Sequence, residues 1–232
     1  MIKKLIYQGL IVYIHKDGIE IKRKFVSSFI IEAIKNEVKN SSVVDSKYGI
    51  RSANKKFKTI ENLSKSKDFI SLANSILGST PEIVRVIYFD KTPEKNWLVT
   101  WHQDKTIAVN KKVKIKNWEV WSIKDDINHV QTPQEVLNSM VTFRLHLDDA
   151  DNNNGCLKVI PQSHHLEILS HSKLTDVVEN QEIYLCEVKS GDLVMMKPHI
   201  LHSSSKSVKP KHRRVVHIEY SNYVLPSNLN WA

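Results

Sequence analysis

The feature that most constrains the fold of this chain is a change in the spacing of its apolar residues near residue 82. Before that point, apolar residues recur every three or four positions in residues 25–38 and 66–78, which is typical of helices with one buried face. After it, short runs alternate apolar and polar residues, which is typical of strands with one face in a core. Helices followed by seven or eight short strands indicate an α+β fold.

Local signals refine the first third of the chain. Residues 10–25 predict a β-hairpin, because a β-rich run precedes the turn signal Asp17-Gly18 and an alternating run follows it. Residues 66–78 predict a helix with Ser66 as its N-cap and Gly78 as its stop. We expect a polar connection between these elements, at residues 39–54.

Short strands dominate the rest of the sequence. They are expected at residues 83–89, 97–102, 107–115, 141–147, 156–160, 183–188, 193–196 and 213–220. The set fits a sandwich or a barrel. A double-sheet jelly roll of the cupin kind, the double-stranded β-helix, would place metal ligands on facing strands, although the pattern also allows another β-sandwich.

No linker separates the two parts, so we expect one domain over residues 1–232. Residues 1–80 would form a mainly helical layer packed on the major sheet, and residues 82–220 would form the jelly-roll core. Residues 116–132 show little periodicity and contain two tryptophans. A long irregular segment often covers a binding site, so we predict that this one is a lid.

The charge composition could suggest a polyanionic partner. The chain has 232 residues, 34 Lys and Arg residues and a formal net charge of +9. Only six of these cations are Arg, and the Lys residues are mostly scattered, which is typical of a solvated basic surface. The composition therefore favours a solvated basic surface over a polyanionic partner such as nucleic acid.

The cysteines and the N-terminus bear on location. Cys156 and Cys186 form no Cys-x-x-Cys motif and are expected to be reduced core thiols. The apolar stretch after Lys4 resembles a signal peptide, but Gln8 and Gly9 interrupt it. No run approaches the ~18 apolar residues of a membrane span. We expect a cytoplasmic protein without membrane contact.

Chemistry is first indicated by the run Trp101-His102-Gln103-Asp104. Residues two apart on a strand project to the same side, so His102 and Asp104 could both face one metal ion. They would supply two of the three ligands in a 2-His-1-carboxylate facial triad, which binds iron(II) and leaves coordination positions open. Such a short motif is weak evidence without a second histidine downstream.

Two histidines compete for the third ligand position. His199 directly follows a proline, whereas His202 follows Ile200-Leu201, where a strand could project it inward. The strand pattern alone therefore does not decide whether His199 or His202 is the third ligand.

The strand at residues 213–220 suggests an anion-binding position. Its alternation separates a more apolar face from a polar one: Arg214, Val216, Ile218 and Tyr220 on the first, and Arg213, Val215, His217 and Glu219 on the second. The apolar face should pack under the helices, which turns Arg213 towards the interior. A buried guanidinium is costly unless it meets an anion, and its planar shape suits a carboxylate. An iron site beside a carboxylate receptor fits an oxygenase that uses 2-oxoglutarate.

These residues also resemble a known family, the phytanoyl-CoA dioxygenase-like proteins. The resemblance covers about residues 83–220 and rests on the runs His102-Gln103-Asp104, Leu147-Asp148-Asp149, Asn154-Gly155-Cys156-Leu157, Val159-Ile160-Pro161-Gln162-Ser163-His164 and Gly191-Asp192, with His202 and Arg213. It implies a double-stranded β-helix and dependence on iron(II), 2-oxoglutarate and O2.

The resemblance also implies roles for individual residues. Iron would be bound by His102, Asp104 and His202, which selects His202 over His199. The cosubstrate 2-oxoglutarate would be bound by Arg213 with help from Ser204. Arg144 lies at a strand position that often lines the cosubstrate or substrate pocket in such enzymes.

Two details qualify the resemblance. The usual Pro-Gly-Ser-His turn is here Pro161-Gln162-Ser163-His164, which should affect a loop rather than the chemistry. Asp104 is present where halogenating relatives carry a small residue, so hydroxylation is the expected reaction. The family's substrate cannot be assigned to this chain, because a shared fold does not determine the substrate.

The sequence thus predicts a dioxygenase that hydroxylates a small, polar or charged molecule and releases succinate and CO2. Trp101, Trp121 and His129 are candidate pocket or lid residues. Two alternatives use part of the same evidence: a divalent-metal cupin with isomerase or hydrolase activity, which would not need Arg213, and a non-catalytic module that binds anions or nucleic acid through the basic surface.

Overall fold

A computed structural model describes residues 6–7, 11–43, 49–208, 211–226 and 228–232. The helices in these ranges are α1 (Ile14–Asp17), α2 (Ser28–Lys39), α3 (Ala53–Lys56), α4 (Lys58–Ser64), α5 (Lys67–Leu77), α6 (Gln134–Asn138) and α7 (His171–Asn180). The strands are β1 (Ile6–Tyr7), β2 (Ile19–Lys22), β3 (Ile50–Arg51), β4 (Glu82–Lys91), β5 (Val99–His102), β6 (Thr106–Val109), β7 (Glu119–Lys124), β8 (Ile127–Gln131), β9 (Met140–His146), β10 (Leu157–Val159), β11 (Ile183–Cys186), β12 (Leu193–Met196), β13 (His202–Ser204) and β14 (Arg213–Ser221).

Two sheets form a sandwich. One has the order β1-β11-β10-β13-β5, and the other has the order β2-β12-β9-β14-β4-β3. Every pairing is antiparallel except that of β1 with β11. At one end of the sandwich, apolar residues of both sheets share a buried cluster that includes Ile19, Val194, Leu157 and Val159. Polar side chains line the space between the two sheets at the opposite end, near β4, β5, β13 and β14.

Helices α2 to α5 cover the outer face of the six-stranded sheet. Ile34 of α2 and Phe69 of α5 share a buried cluster with Phe143 of β9 and Tyr220 of β14. The rings of Phe69 and Phe143 lie 5.9 Å apart between centroids. The Tyr220 hydroxyl donates a hydrogen bond of 2.7 Å to the Ser64 carbonyl, which ties the end of α4 to the sheet.

The predicted helix at residues 66–78 is confirmed together with both of its ends. Ser66 Oγ accepts a hydrogen bond from the Phe69 N–H at 3.5 Å, and Gly78 ends the helix with a φ of 83°. The strands expected from alternation are also present, though several are shorter than predicted; the one expected at residues 107–115 ends at Val109.

The predicted hairpin at residues 10–25 is wrong within the described residues. Residues 14–17 form α1, and Gly18, with a φ of 73°, is the C-cap of that helix. The Asp17 carboxylate accepts a hydrogen bond from the Tyr13 N–H, which stabilises the helical turn. Consequently β2 pairs with β12, a partner about 170 residues away, as its register of Ile21 with Val194 shows. The predicted Leu10 start lies outside the described residues.

Two other predictions need correction. The expected polar connection at residues 39–54 contains β3 and the start of α3, and its residues 44–48 lie outside the described ranges. Helix α7 was not predicted: its apolar stripe is limited to Leu174, Val177 and Val178, and none of its side chains is buried.

Residues 116–132 are not irregular. Strands β7 and β8 form a hairpin in a third sheet with the order β6-β8-β7. The two turn residues, Asp125 and Asp126, have φ values of 51° and 61°, as a two-residue type I′ turn requires. The usual sequence signal for this turn is Asn-Gly or Asp-Gly. The turn was therefore not predicted from Asp125-Asp126.

Cys156 and Cys186 are buried free thiols, as predicted. No helix in the described part of the chain combines the length and the apolar character needed to cross a bilayer.

Candidate active site

Three potential metal ligands meet where β5 pairs with β13. His102 ends β5, and in the antiparallel register it lies directly opposite His202, the first residue of β13. Asp104 follows two residues after His102, and its backbone N–H donates to the Pro198 carbonyl at 3.0 Å. One ligand atom from each of His102, Asp104 and His202 lies within 4.8 Å of the other two.

Both imidazoles are oriented by their own strands. His102 Nδ1 lies 2.8 Å from the Thr100 carbonyl, and His202 Nδ1 lies 2.8 Å from the Ile200 carbonyl. A carbonyl only accepts hydrogen bonds, so Nδ1 carries a proton in both rings. This leaves each Nε2 with a free lone pair directed at Asp104, whose carboxylate oxygens lie 3.8 Å from His102 Nε2 and 3.6 Å from His202 Nε2.

The protonation states suit a metal site. Burial, with a smaller effect of His102, lowers the pKa of His202 to about 3, so its ring is neutral near pH 7. Burial raises the pKa of Asp104, but His202, His102 and Arg85 outweigh it and hold the carboxyl below its usual range. Two neutral imidazoles and one carboxylate are the donor set of the iron(II) facial triad. The residues present therefore fit this metal.

His199, the competing ligand, lies elsewhere. It is buried in the turn before β13, and its ring lies 6.3 Å from the ring of His164 between centroids. Among the described residues, no metal-ligating cluster includes His199.

A buried cationic site faces the triad from the other sheet. Arg213, at the start of β14, is only 5% exposed. Its Nη1 donates to the Gly155 carbonyl, and its Nη2 donates to Ser204 Oγ at 3.2 Å. Burial, followed by the nearby Arg144, lowers the pKa of Arg213 to about 10, so the guanidinium remains charged. No carboxylate pairs with Arg213 among the described residues.

The side chains of β14 alternate between the inner and outer faces of the sheet, as the sequence predicted. Arg214 turns to the outer face, where it forms a two-point ion pair with Asp148 through contacts of 2.7 Å. Arg213 turns inward, so of these two arginines only Arg213 is available to an anion in the sandwich.

Lys91 completes the cationic site and was missed from the sequence. It ends β4 directly opposite Arg213, it is 3% exposed, and its Nζ donates to Ser204 Oγ at 3.0 Å and to the Ser205 carbonyl at 3.1 Å. Burial, followed by Arg213 and Arg144, lowers the pKa of Lys91 to about 7. Extending the alternation of the predicted strand beyond Phe89 would have placed Lys91 on the inner face.

A chain of buried polar side chains lies beside Asp104. Arg144 Nη1 donates to His217 Nδ1 at 3.0 Å, and His217 Nε2 donates to Glu219 Oε1 at 2.9 Å. Arg85 forms a 2.7 Å ion pair with the same carboxylate oxygen. His217 and Glu219 each have a polar atom within 4.8 Å of Asp104. Glu219 therefore neutralises Arg85 and orients His217.

The triad and the cationic site open into one cavity of about 240 Å³. The cavity is also lined by Arg144 and by apolar side chains of both sheets, including Ile87, Phe89 and Leu157. The sequence-predicted residues His102, Asp104, His202, Arg213, Ser204 and Arg144 therefore come together in space.

The family follows from a comparison with known proteins. The family model for phytanoyl-CoA dioxygenase (PhyH) matches residues 14–215, most of the chain. The chain belongs to the phytanoyl-CoA dioxygenase family. The predicted resemblance to this family is therefore confirmed.

A curated relative agrees with this assignment. Phytanoyl-CoA dioxygenase 1 of Oryza sativa subsp. japonica is 26% identical over 174 residues, which cover 69% of this chain and 53% of the rice protein. The chain therefore spans about half the length of this relative.

Solved structures confirm the jelly-roll fold. AviO1 of Streptomyces viridochromogenes Tue57 has a TM-score of 0.68 at 17% identity, covering 92% of this chain and 93% of its own. HygX of Streptomyces hygroscopicus, with nickel, 2-oxoglutarate and hygromycin B bound, has a TM-score of 0.66 at 13% identity, covering 90% and 84%. The epimerase SnoN, in complex with Fe3+, alpha ketoglutarate and nogalamycin RO, has a TM-score of 0.68 at 13% identity, covering 90% and 80%.

The structure does not bring the predicted pocket or lid residues Trp101, Trp121 and His129 to this PhyH-type cavity. Trp101 packs against the apolar cluster of the sandwich, because alternation turns it away from His102. Trp121 packs against the core around the third sheet. His129 is buried with its Nδ1 3.4 Å from Arg85 Nη1. Of residues 116–132, Lys124 lines the cavity instead.

Proposed function

We propose that the chain is an iron(II)- and 2-oxoglutarate-dependent dioxygenase that hydroxylates a small molecule and releases succinate and CO2. His102, Asp104 and His202 would bind the metal. Arg213, Ser204 and Lys91 would bind the distal carboxylate of 2-oxoglutarate. The structures of HygX and SnoN, which hold a metal and 2-oxoglutarate, support this assignment of cofactors.

One observation carries the proposal. The triad on the five-stranded sheet faces two buried cations on the six-stranded sheet across a single cavity, and the described residues provide these cations with no carboxylate partner. Such cations are expensive to bury unless an anion neutralises them. A dianion that chelates the metal at one end and meets Arg213 at the other satisfies both requirements. A zinc isomerase or hydrolase would not need the cations.

Each side chain has a role that its contacts support. The carbonyls of Thr100 and Ile200 hold the two imidazoles in the orientation for metal binding. Ser204 Oγ donates to the Gly155 carbonyl at 2.8 Å and accepts hydrogen bonds from Lys91 and Arg213, so it fixes both cations towards the same point. The apolar walls exclude water from the reacting groups. When bound, iron would supply dioxygen activation coupled to decarboxylation of the cosubstrate.

We further propose that the β7–β8 hairpin acts as the lid over this cavity, with substrate entering beneath it, and that residues 1–232 form one domain. Lys124, next to the hairpin turn, lines the cavity, which supports a lid at this hairpin. The helices and the six-stranded sheet share one buried core, which supports a single domain.

Hydroxylation is the reaction we favour because Asp104 retains the carboxylate ligand. Epimerisation, as in SnoN, uses the same fold. Incorporation of one atom of 18O from 18O2 into the product would support hydroxylation, whereas an unlabelled isomeric product would contradict it.

The metal assignment is tested by Asp104→Ala and His202→Ala. Each should abolish succinate formation from 2-oxoglutarate in the presence of iron(II), because each removes a ligand from an open three-ligand site. His171→Ala, at an exposed position of α7, is the matched control and should keep wild-type turnover. Wild-type turnover in both ligand variants would overturn the assignment.

The cosubstrate assignment is tested by comparing Arg213→Lys with Arg214→Lys. Calorimetry with Mn(II) in place of iron(II) should show a dissociation constant for 2-oxoglutarate raised about tenfold or more in Arg213→Lys, because lysine cannot reproduce the guanidinium's planar array of donors. Arg214→Lys should bind 2-oxoglutarate normally, since Arg214 pairs with Asp148 outside the cavity. Equal effects of the two changes would contradict the assignment.

A further inference from the structure

The mouth of the candidate active site carries two cations from separate elements. Arg51 ends β3, at the edge of the six-stranded sheet, and Lys124 ends β7, next to the hairpin turn of the third sheet. Both line the cavity that contains His102 and Asp104. Arg51 is directly opposite Ile87 of β4, another lining residue, so its guanidinium lies beside an apolar wall.

The cavity is strongly unbalanced in charge. Six cationic side chains line it, namely Arg51, Arg85, Lys91, Lys124, Arg144 and Arg213, whereas Asp104 is the one carboxylate among the described lining residues. Glu219, beside Asp104, pairs with Arg85. The proposed cosubstrate would neutralise Arg213 and Lys91, while the metal adds positive charge of its own. Arg51, Lys124 and Arg144 therefore remain without a full counter-charge.

The cations at the mouth are only weakly neutralised by the chain itself. Arg51 Nε lies 3.9 Å from the Asp125 carboxylate, much longer than the 2.7 Å contacts of Arg85 and Arg214 with their acids. The Asp125 side chain is 48% exposed, so water screens this pair. Among the described residues, Lys124 has no ion pair. Two like charges that converge on a partly enclosed space favour an anion between them.

The electrostatics of Lys124 agree with this arrangement. Partial burial, followed by Arg51 and Arg85, lowers the pKa of its ammonium group. Arg51 and Arg85 therefore act on the Lys124 ammonium group, and an anionic ligand bound between these cations would offset their repulsion.

We propose that the substrate carries an oxyanion, a carboxylate or a phosphate, that Arg51 and Lys124 bind at the mouth of the cavity. This inference rests on the proposed function, since it assigns the substrate class of the same site. The anionic end would contact the two cations, and the part to be oxidised would extend between the apolar walls towards His102 and Asp104. A neutral hydrocarbon would leave both cations without a close counter-charge.

The test uses the full chain loaded with stoichiometric Mn(II) and saturating 2-oxoglutarate. Isothermal titration calorimetry measures binding of phenyl phosphate, of benzoate and of their neutral counterpart benzyl alcohol. At least one oxyanion should bind about tenfold or more tightly than benzyl alcohol, and the stronger of the two identifies phosphate or carboxylate as the preferred group. Its affinity should fall as the salt concentration rises.

Variants identify the residues responsible. Arg51→Gln and Lys124→Gln should each weaken oxyanion binding about tenfold or more, whereas Lys124→Arg should preserve it. Lys116→Gln makes the same change of charge at an exposed position of the same segment and should leave binding unchanged. All four variants should bind 2-oxoglutarate as the wild type does.

Three results would overturn the inference: equal affinity for the oxyanions and benzyl alcohol, no binding of either oxyanion to the loaded wild-type protein, or wild-type oxyanion affinity in both Gln variants. Failure of 2-oxoglutarate itself to bind would instead overturn the proposed function. Measuring the affinity for 2-oxoglutarate in every sample therefore separates the two failures.

Discussion

At the scale of single residues, Lys91 shows how this cavity departs from an ordinary core. Its ammonium group is buried next to Arg213, and a serine hydroxyl and a backbone carbonyl are its hydrogen-bond acceptors. Burial therefore lowers its pKa from 10.5 to about 7. In the unfolded chain Lys91 keeps its ordinary pKa and binds its proton more tightly than in the folded protein. The free energy of unfolding of the ligand-free protein should therefore rise as the pH increases from about 7 to about 10.

Lys91 should also make cosubstrate binding depend on pH. A dianion favours the protonated lysine, and Lys91 loses its proton in the ligand-free protein above about pH 7. The affinity for 2-oxoglutarate should therefore fall as the pH rises from about 6.5 to about 8.5. Calorimetry with the Mn(II)-loaded protein across this interval measures the effect.

Two variants at the same position provide the controls. Lys91→Met should bind 2-oxoglutarate more weakly and with little dependence on pH. Lys91→Arg should also show little dependence on pH while keeping strong binding, because a guanidinium stays charged throughout. A wild-type profile without a slope, or a slope that persists in Lys91→Met, would contradict the role given to Lys91.

At the scale of elements, the turn before β10 connects the backbone to the cationic site. Gly155 has a φ of 77°, and its carbonyl accepts hydrogen bonds from Arg213 and from Ser204 Oγ. A Cβ atom added to Gly155 would lie 2.3 Å from the Ser205 carbonyl oxygen. The turn can therefore approach β13 closely only with glycine at this position.

Gly155→Ala should damage both stability and cosubstrate binding. The unfavourable φ and the collision with backbone together should lower the free energy of unfolding by about 3 kcal/mol. The displaced carbonyl should also raise the dissociation constant for 2-oxoglutarate. Urea unfolding and calorimetry measure the two effects.

Gly78→Ala is a matched control for this change. Gly78 also has a positive φ, 83°, but a Cβ added there meets no atom within 4 Å. The change should cost about 1 kcal/mol from backbone strain alone and should leave 2-oxoglutarate binding intact. Similar losses in the two variants would mean that the close approach at Gly155 is unimportant.

At the scale of the whole molecule, the site is divided between the two sheets. The metal ligands lie on and next to β5 and β13 of the five-stranded sheet, whereas Lys91 and Arg213 lie on β4 and β14 of the six-stranded sheet. The shared apolar cluster holds the sheets together at the other end of the sandwich. A metal with its 2-oxoglutarate would therefore join the two sheets across the polar end.

Mn(II) and 2-oxoglutarate should consequently stabilise the fold together. At concentrations about 100-fold above its dissociation constant, a ligand adds about 2.7 kcal/mol to the free energy of unfolding. For a chain of this length that corresponds to a rise in Tm of roughly 5–10 °C. We expect 2-oxoglutarate to give this rise with Mn(II) present and a much smaller one without it.

Thermal unfolding monitored by fluorescence measures this coupling, and Asp104→Ala is the informative variant. It should lose the stabilisation by Mn(II) while keeping the overall fold. An equal rise in Tm for Asp104→Ala and the wild type would show that the ligands stabilise the protein from another site.

Local patterns predicted part of this molecule well. The N-cap Ser66 and the stop Gly78 were identified because capping depends on residues a few positions apart. The inward direction of Arg213 and the outward direction of Arg214 followed from the alternation of a strand. By contrast, Asp17-Gly18 was misassigned, because the same dipeptide can end a helix or form a hairpin turn.

The available chemistry and the faces of the elements could be predicted from the sequence: a histidine and a carboxylate on one side of a chain segment, an arginine on the inner face of a strand, and a family motif linking them. Which distant residues meet depends on the tertiary structure. The pairing of His102 with His202 and of Lys91 with Arg213 arises from strand registers between residues that lie 100 and 122 positions apart in the sequence. Local spacing sets the direction of a side chain, but a register depends on how the whole core packs.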